Sequence, residues 1–297
     1  EIFHRISPYL PLTQTPFERR VWLLDQKINS TGMPVDRALV DGALKAHEGY
    51  QKEMFRIMSA ITRLDNPNSV AQMRDWIEQQ GVTMPSMTKE VVRDTLLLKD
   101  IPSDVRRVLE MWQQTSKASI KKFHAFRDGT STAGRVHDTY AYYGAARTGR
   151  WAGSGVQPQN LPGSALGGDT LAEMQERLAL AVQTVRQGDW KLLDLMYPSV
   201  TSALTSTIRC AITAPRGKRM VVADLSSIET VVIGWAAKCA RILNLFREGK
   251  DAYKDYATFV FGVAYEEVTK QMRKWSKPPV LGCFAGETLV LSSAGWK

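Results

Sequence analysis

Apolar residues recur at helical spacing through most of the first third of the chain. Val21, Leu24 and Ile28 predict a helix over residues 17–28, stopped by Asn29-Ser30-Thr31-Gly32. Met33-Pro34-Val35-Asp36 leads into a long helix over 37–62. Asn66-Pro67-Asn68-Ser69 is a turn with an N-cap, and the short helix after it, over 70–80, ends at Gly81. Thr88 or Lys89 starts another helix. Ile101-Pro102-Ser103-Asp104 caps a longer one running to about Phe126.

The pattern changes after Gly129. Residues 135–140 alternate as a strand does, and a non-periodic loop follows that is dense in Arg, Gln and Asn. Residues 163–203 form a Gly/Ser linker and an amphipathic helix over about 170–188. Residues 202–215 read as a short helix and a strand, with Arg209 and Cys210 at the strand start, and Gly217-Lys218 as a hairpin turn. Val221-Val222-Ala223 then predicts a buried strand that delivers Asp224 at its end. Glu229 follows five residues later, in an apolar run that continues as a helix. Three more helices are predicted over 241–248, over 251–261 with Asp251 as cap, and over 265–276. Arg273 and Lys277 fall one turn apart.

A carboxylate at a strand end suits a hard cation such as Mg²⁺, which takes oxygen ligands and few protein carboxylates. On these residues alone, Asp224 as a helix cap and Glu229 in a first helical turn is the better account of the pattern, and only other segments of the chain reverse that.

Charge sharpens the picture. The 297 residues carry a formal charge of +9 and a pI of about 9.5, favouring an anionic partner, nucleic acid first. Between Val105 and Arg150, nine Lys/Arg (106, 107, 117, 121, 122, 127, 135, 147, 150) face three acids (110, 128, 138). A solvated helix face and a phosphate-backbone contact both explain that excess. Cys210, Cys239 and Cys283 have no metal-ligand spacing and fit a reducing compartment. No run is long and apolar enough to span a membrane, and no signal peptide is expected. It starts on Glu1, so the N-terminus is expected to be cut from something longer.

Three segments together resemble the family A DNA polymerases of bacteria and their phages. Ile208–Gly217 running into Ala223-Asp224-Leu225-Ser226-Ser227-Ile228-Glu229 is similar to the family's first palm motif, D-x-S-x-I-E, with the strand pair before it. Thr148-Gly149-Arg150 with Gln159-Asn160-Leu161-Pro162 resembles its T-G-R…Q-N-[IL]-P segment. Arg273-Lys274-Trp275-Ser276-Lys277 resembles the R-x-x-x-K start of its fingers helix.

The resemblance implies an α+β fold: a right-hand polymerase fragment with a helical thumb, a partial antiparallel-sheet palm and partial helical fingers. The expected divisions are a connector and entry helix (1–36), thumb (37–127), palm (128–240, with an insertion at 163–203), fingers (241–282) and a tail (283–297). It implies template-directed nucleotidyl transfer from a dNTP to a primer 3′-hydroxyl. Asp224 and the Leu225 carbonyl would hold two Mg²⁺. Ser227, Glu229, Tyr253, Arg273, Lys277 and Leu281 would meet the nucleotide, with Glu229 under the sugar and Arg273 and Lys277 on the triphosphate. Lys117, Lys121, Thr148, Arg150, Gln159 and Asn160 would contact primer–template DNA. Tyr253 stands where many members have His, a phage-like pattern, and Leu281 where Phe or Tyr is usual. Pro278-Pro279 is expected to break or restart the fingers helix.

From Cys283 the chain instead resembles the first block of an intein, C-[FL]-x-x-x-T-x-V, read here as Cys283-Phe284 through Thr288 and Val290. Cys283 would then be the splicing nucleophile. The expected partner is a complementary C-terminal polymerase and intein fragment, joined by trans-splicing or lying downstream in a longer gene. A phage-encoded protein of this kind would work in the bacterial cytoplasm. A non-catalytic DNA-binding protein on the same scaffold is the alternative, but it would need none of Asp224, Glu229, Arg273 and Lys277.

Overall fold

The computed structural model describes residues 15–115, 118–168, 170–225 and 227–277, and the backbone at 291–292 and 295–296. The chain divides into two compact units, residues 1–220 and 221–297.

In the first unit, α1 (Pro16–Thr31) starts on Thr15, whose hydroxyl accepts the Glu18 N–H, and stops at Gly32 in a left-handed conformation. Helix α2 (Arg37–Thr62), capped by Asp36, is about 39 Å long at 1.5 Å per residue. Its first half belongs to one core with Phe123, Phe126, Val185, Leu204 and Ile208. Its second half reaches a separate helical core built from Met58, Met73, Ile77, Val105, Leu109 and Trp112. That outer core is closed by α3 (Val70–Gln79), α4 (Lys89–Leu96) and α5 (Ser103–Thr115).

The helix expected to run unbroken to Phe126 is interrupted. After Thr115 comes a 3₁₀ turn, Ala118–Ile120, and then α6 (Lys121–Gly129). The Thr115 hydroxyl donates to the carbonyls of Met111 and Trp112, at 3.0 and 3.2 Å. The Ser- and Thr-containing run here has poor helix propensity and supplies such competing bonds.

The sheets are small and antiparallel. β1 (Met33–Pro34) pairs with β2 (Arg135–Val136), and β3 (Tyr140–Ala145) pairs with β4 (Arg150–Gly153). Among the described residues the tail adds a two-residue hairpin, Leu291–Ser292 with Gly295–Trp296.

The 163–203 segment holds more helix than its periodicity predicts. Helix α7 (Leu171–Gln187) has Thr170 as N-cap and left-handed Gly188 after it, close to expectation. A further helix, α8 (Trp190–Met196), is capped by Asp189, and α9 (Val200–Thr207) by Ser199. Helix α7 docks on α2 at Gly42, where a Cβ would sit 2.3 Å from the Val185 carbonyl oxygen. Two turns on, a Cβ at Gly49 would sit 2.6 Å from the Trp190 ring. The two glycines let α7 and α8 lie against the long helix, and Arg186 pairs with Asp36 beside them.

Two strand expectations fail. Residues 208–211 form a 3₁₀ turn, and the expected strand after them is reduced to one bridge between Ile212 and Val35. Residues 216–217 make a turn without hairpin strands. Residues 221–225 form no strand either; Val221 and Val222 are 81% and 84% exposed. A strand exists by pairing, and none of the described residues pairs with this segment.

The second unit is helical: α10 (Ile228–Ala236), α11 (Ala240–Arg247), α12 (Ala252–Phe261) and α13 (Lys270–Trp275). The third helix expected over 265–276 is split into a 3₁₀ turn, Tyr265–Glu267, and α13, because Thr269 caps a new start by accepting the Met272 N–H.

Candidate functional site

The loop-borne residues lie in the first unit. Thr148 and Gly149 close the β3–β4 turn, both N–H groups donating to the Ala145 carbonyl. Gly149 has φ +66°, and a Cβ there would meet the Tyr143 ring at 2.8 Å, so the turn requires glycine. Arg150 opens β4, and its side chain and that of Thr148 are exposed. Past β4, Val156 and Leu161 are buried, and between them a 3₁₀ turn, Pro158–Asn160, leaves Gln159 and Asn160 exposed. Lys121 is exposed at the start of α6. Lys117 lies outside the described residues.

Residues with no sequence signal hold this hairpin and loop. Asp25, 3% exposed on α1, accepts the Trp151 indole N–H at 2.7 Å. Asn29 donates to the Tyr140 carbonyl and accepts the Tyr140 N–H, mimicking a strand partner. Lys122 Nζ donates to the Val156 carbonyl at 3.0 Å and to Gln157 Oε1 at 3.1 Å. Arg209 donates through Nε and Nη2 to the Leu161 carbonyl, at 3.1 and 2.8 Å.

In the second unit Asp224 is exposed, and Leu225 is 70% exposed. Ser227 precedes α10 in a left-handed conformation, φ 49°, which costs a non-glycine residue roughly 1 kcal/mol or more. Glu229 falls in the first turn of α10, where the helix dipole favours a carboxylate. Among the described residues no cluster of three or more His, Cys, Asp or Glu could hold a metal ion. Asp224 offers one exposed carboxylate and the Leu225 backbone an oxygen, a donor set that suits Mg²⁺ as part of a shell completed by water and phosphate.

The two cations meet at one ring. Arg273 Cζ lies 5.2 Å and Lys277 Nζ 5.8 Å from the Tyr253 ring centroid. Both separations suit cation–π attraction, worth about 0.5–1 kcal/mol at exposed sites. Arg273 also donates to Asp251 at 2.7 Å, while Asp251 caps α12 by accepting the N–H groups of Tyr253 and Lys254. Burial pushes the Asp251 carboxyl up; the bonds from Arg273 and the two backbone N–H groups, with the Arg273 charge, outweigh it and hold the carboxyl below its usual range. The depressed value makes this contact complete above the ordinary Asp range, about pH 4, and lost as pH falls through the lower folded value. NMR of the Arg273 side chain is therefore expected to show release of the Asp251 pair only below about pH 4; release near neutrality would contradict this.

A cavity of about 430 Å³ in the second unit is lined mainly by apolar side chains, among them Ile233, Ile242, Leu245 and Phe259. None of the described residues expected to bind nucleotide lines it. Leu281, Pro278-Pro279 and Cys283 lie outside the described residues. No helix among the described residues is long and apolar enough to cross a membrane.

Comparison with known proteins gives this arrangement a context. The model of DNA polymerase family A matches residues 43–288. The DNA polymerase of Bacillus phage SP02 is 35% identical over 269 residues, covering 91% of this chain and 40% of that polymerase. DNA polymerase I of Pseudomonas aeruginosa is 27% identical over 153 residues, covering 52% of this chain and 13% of that protein. The chain thus spans well under half the length of these relatives. Among solved structures, the POL domain of Pol1 from M. smegmatis, in complex with DNA primer–template and dNTP, matches with a TM-score of 0.55 at 17% identity over 83% of this chain and 38% of that one, a likeness of fold. On the extent of the family match and the identity to the phage enzyme, the chain belongs to the family A DNA polymerases.

Proposed function

We propose that this chain is part of a template-directed DNA polymerase that transfers a nucleotide from a dNTP to a primer 3′-hydroxyl. The observation that carries the reading is the pair Arg273 and Lys277, both over the Tyr253 ring, with Arg273 also held by Asp251. A planar guanidinium fork and a compact ammonium, side by side and partly preorganised, suit a triphosphate. Asp224 and the Leu225 carbonyl would hold Mg²⁺, which when bound supplies activation of the hydroxyl and neutralisation of the pyrophosphate charge. Glu229 would lie under the sugar and exclude a 2′-hydroxyl, with Ser227 and Leu281 near the same nucleotide. Thr148, Arg150, Gln159 and Asn160 would meet the duplex near the primer end, and Lys117 and Lys121 its phosphates.

In this reading residues 37–127 are the thumb, 128–240 the first part of the palm and 241–282 the first part of the fingers. The remaining polymerase elements come from a complementary C-terminal portion, and Cys283 begins an intein that joins the two. The site of action is the cytoplasm of a bacterial host.

The isolated chain is expected to bind primer–template DNA weakly in fluorescence anisotropy and to add no nucleotide. Mixed with the intein remainder and the C-terminal polymerase portion, it is expected to give one ligated, active product, and Cys283→Ala to abolish ligation. Extension by the isolated chain, or ligation surviving that substitution, would overturn the corresponding part.

A further inference from the structure

Two cations in the first unit point inward to loop backbone, and their geometry separates them from their basic neighbours. The loop between Val156 and Leu161 is irregular and carries Gln157 at φ 52°, a left-handed conformation that a non-glycine residue rarely adopts. Its own bonds among the described residues are those of single turns, such as Asn160 N–H to the Gln157 carbonyl at 2.9 Å, and a long one from the Gln159 side chain to the Trp151 carbonyl at 3.5 Å. Val156 and Leu161 at its ends are buried, and their backbone carbonyls still need partners. Lys122 supplies them at one end, bonding the Val156 carbonyl and the Gln157 side chain. Arg209 supplies them at the other, with two N–H groups on the Leu161 carbonyl. Bonds from charged donors are among the stronger kind, and a forked pair fixes direction as well as distance.

We propose that Lys122 and Arg209 are positioning residues, whose work is to set the loop that presents Gln159 and Asn160, and that neither is spent on phosphate. The inference rests on the reading of this loop as a DNA contact. It divides the basic stretch by task. Lys121, exposed and one residue away, is left as a phosphate-facing charge, while Lys122, on the next position of the same helix, is turned to the loop.

Salt dependence separates the two tasks. Each phosphate contact releases about one counterion, so losing one lowers the slope of log affinity against log salt by about 1. The experiment uses the full chain and a fluorescent primer–template, titrated at several salt concentrations, with amide hydrogen exchange on the same proteins without DNA. Lys122→Met and Arg209→Met are each expected to weaken binding by about five- to tenfold with the slope unchanged, a part of the cost of releasing a charged hydrogen bond. They are also expected to speed exchange at residues 157–161. Lys122→Arg, which keeps a charged donor, is expected to restore most of the affinity. Lys121→Ala is expected to lower the slope by about 1 and leave loop exchange unchanged.

A slope that falls for Lys122→Met or Arg209→Met, or loop exchange identical to the parent in both, would overturn the proposal. A parent chain that shows no binding at all would remove the DNA reading, and the exchange data would then decide the two pins by themselves. Thermal unfolding of each variant guards against a general loss of fold; if a Met variant does not fold, Gln157→Ala, which removes only the side-chain acceptor of Lys122, carries the same expectation at smaller size.

Discussion

Asp224→Asn in the completed polymerase is expected to lower nucleotide addition by about a thousandfold or more while primer–template affinity stays within a few-fold. A thousandfold corresponds to about 4 kcal/mol of transition-state stabilisation at 1.36 kcal/mol per decade. The substitution is nearly isosteric, so it removes charge and leaves volume. Its effect should be confined to chemistry because the side chain is exposed and bears no core packing. Asparagine remains an oxygen donor but brings no negative charge to a hard dication, and the proposed site has few other protein ligands to compensate. Single-turnover extension measures the chemical step apart from binding. Activity within tenfold of the parent would remove Asp224 from the catalytic centre.

Gly42→Ala is expected to destabilise the first unit by about 1–3 kcal/mol, the usual cost of overpacking. The sign is informative. In an ordinary helix interior, replacing glycine with alanine stabilises by up to about 1 kcal/mol, because the unfolded chain loses freedom. Here the added methyl would meet backbone, the Val185 carbonyl oxygen at 2.3 Å and Arg186 Cα at 2.8 Å, and backbone cannot swing aside as a side-chain tip can. Helix α7 must therefore shift from α2, loosening the Arg186–Asp36 pair as well. Gly163→Ala is the matched control, since nothing lies within 4 Å of a Cβ there. Denaturant unfolding with limited proteolysis of residues 163–203 reads both global and local loss. A Gly42→Ala variant as stable as the parent would mean that the two helices are not packed as described.

What could be read from sequence was what a few neighbouring residues decide. Asp251 and Gly262 bracket α12 as their residue types predict, one accepting the first N–H groups and the other taking a left-handed turn. The long helix α2 spans 37–62 as its periodicity predicts. Segments whose state depends on distant partners were not legible. Val221 and Val222 have strand propensity, but propensity without a neighbour does not make a strand. Helix α8 was hidden because seven residues carry too little period to read, although Asp189 was there as a cap. In the candidate site, Thr148, Arg150, Gln159 and Asn160 were findable as a loop motif. Lys122 and Arg209 were not, because their bonds join residues 34 to 48 apart in sequence. The left-handed backbone of Ser227 gave no signal either: a serine looks the same in sequence whether or not its φ is positive.

The bare run from Met220 to Leu225 also governs how the isolated chain behaves in a tube. It lies outside any sheet, exposes Met220, Val221, Val222 and Leu225, and has no backbone partner among the described residues, so a like segment of another molecule can pair with it. Self-association should therefore rise steeply with concentration in light scattering, and an added charge at Val221 or Val222 should raise the concentration at which turbidity begins.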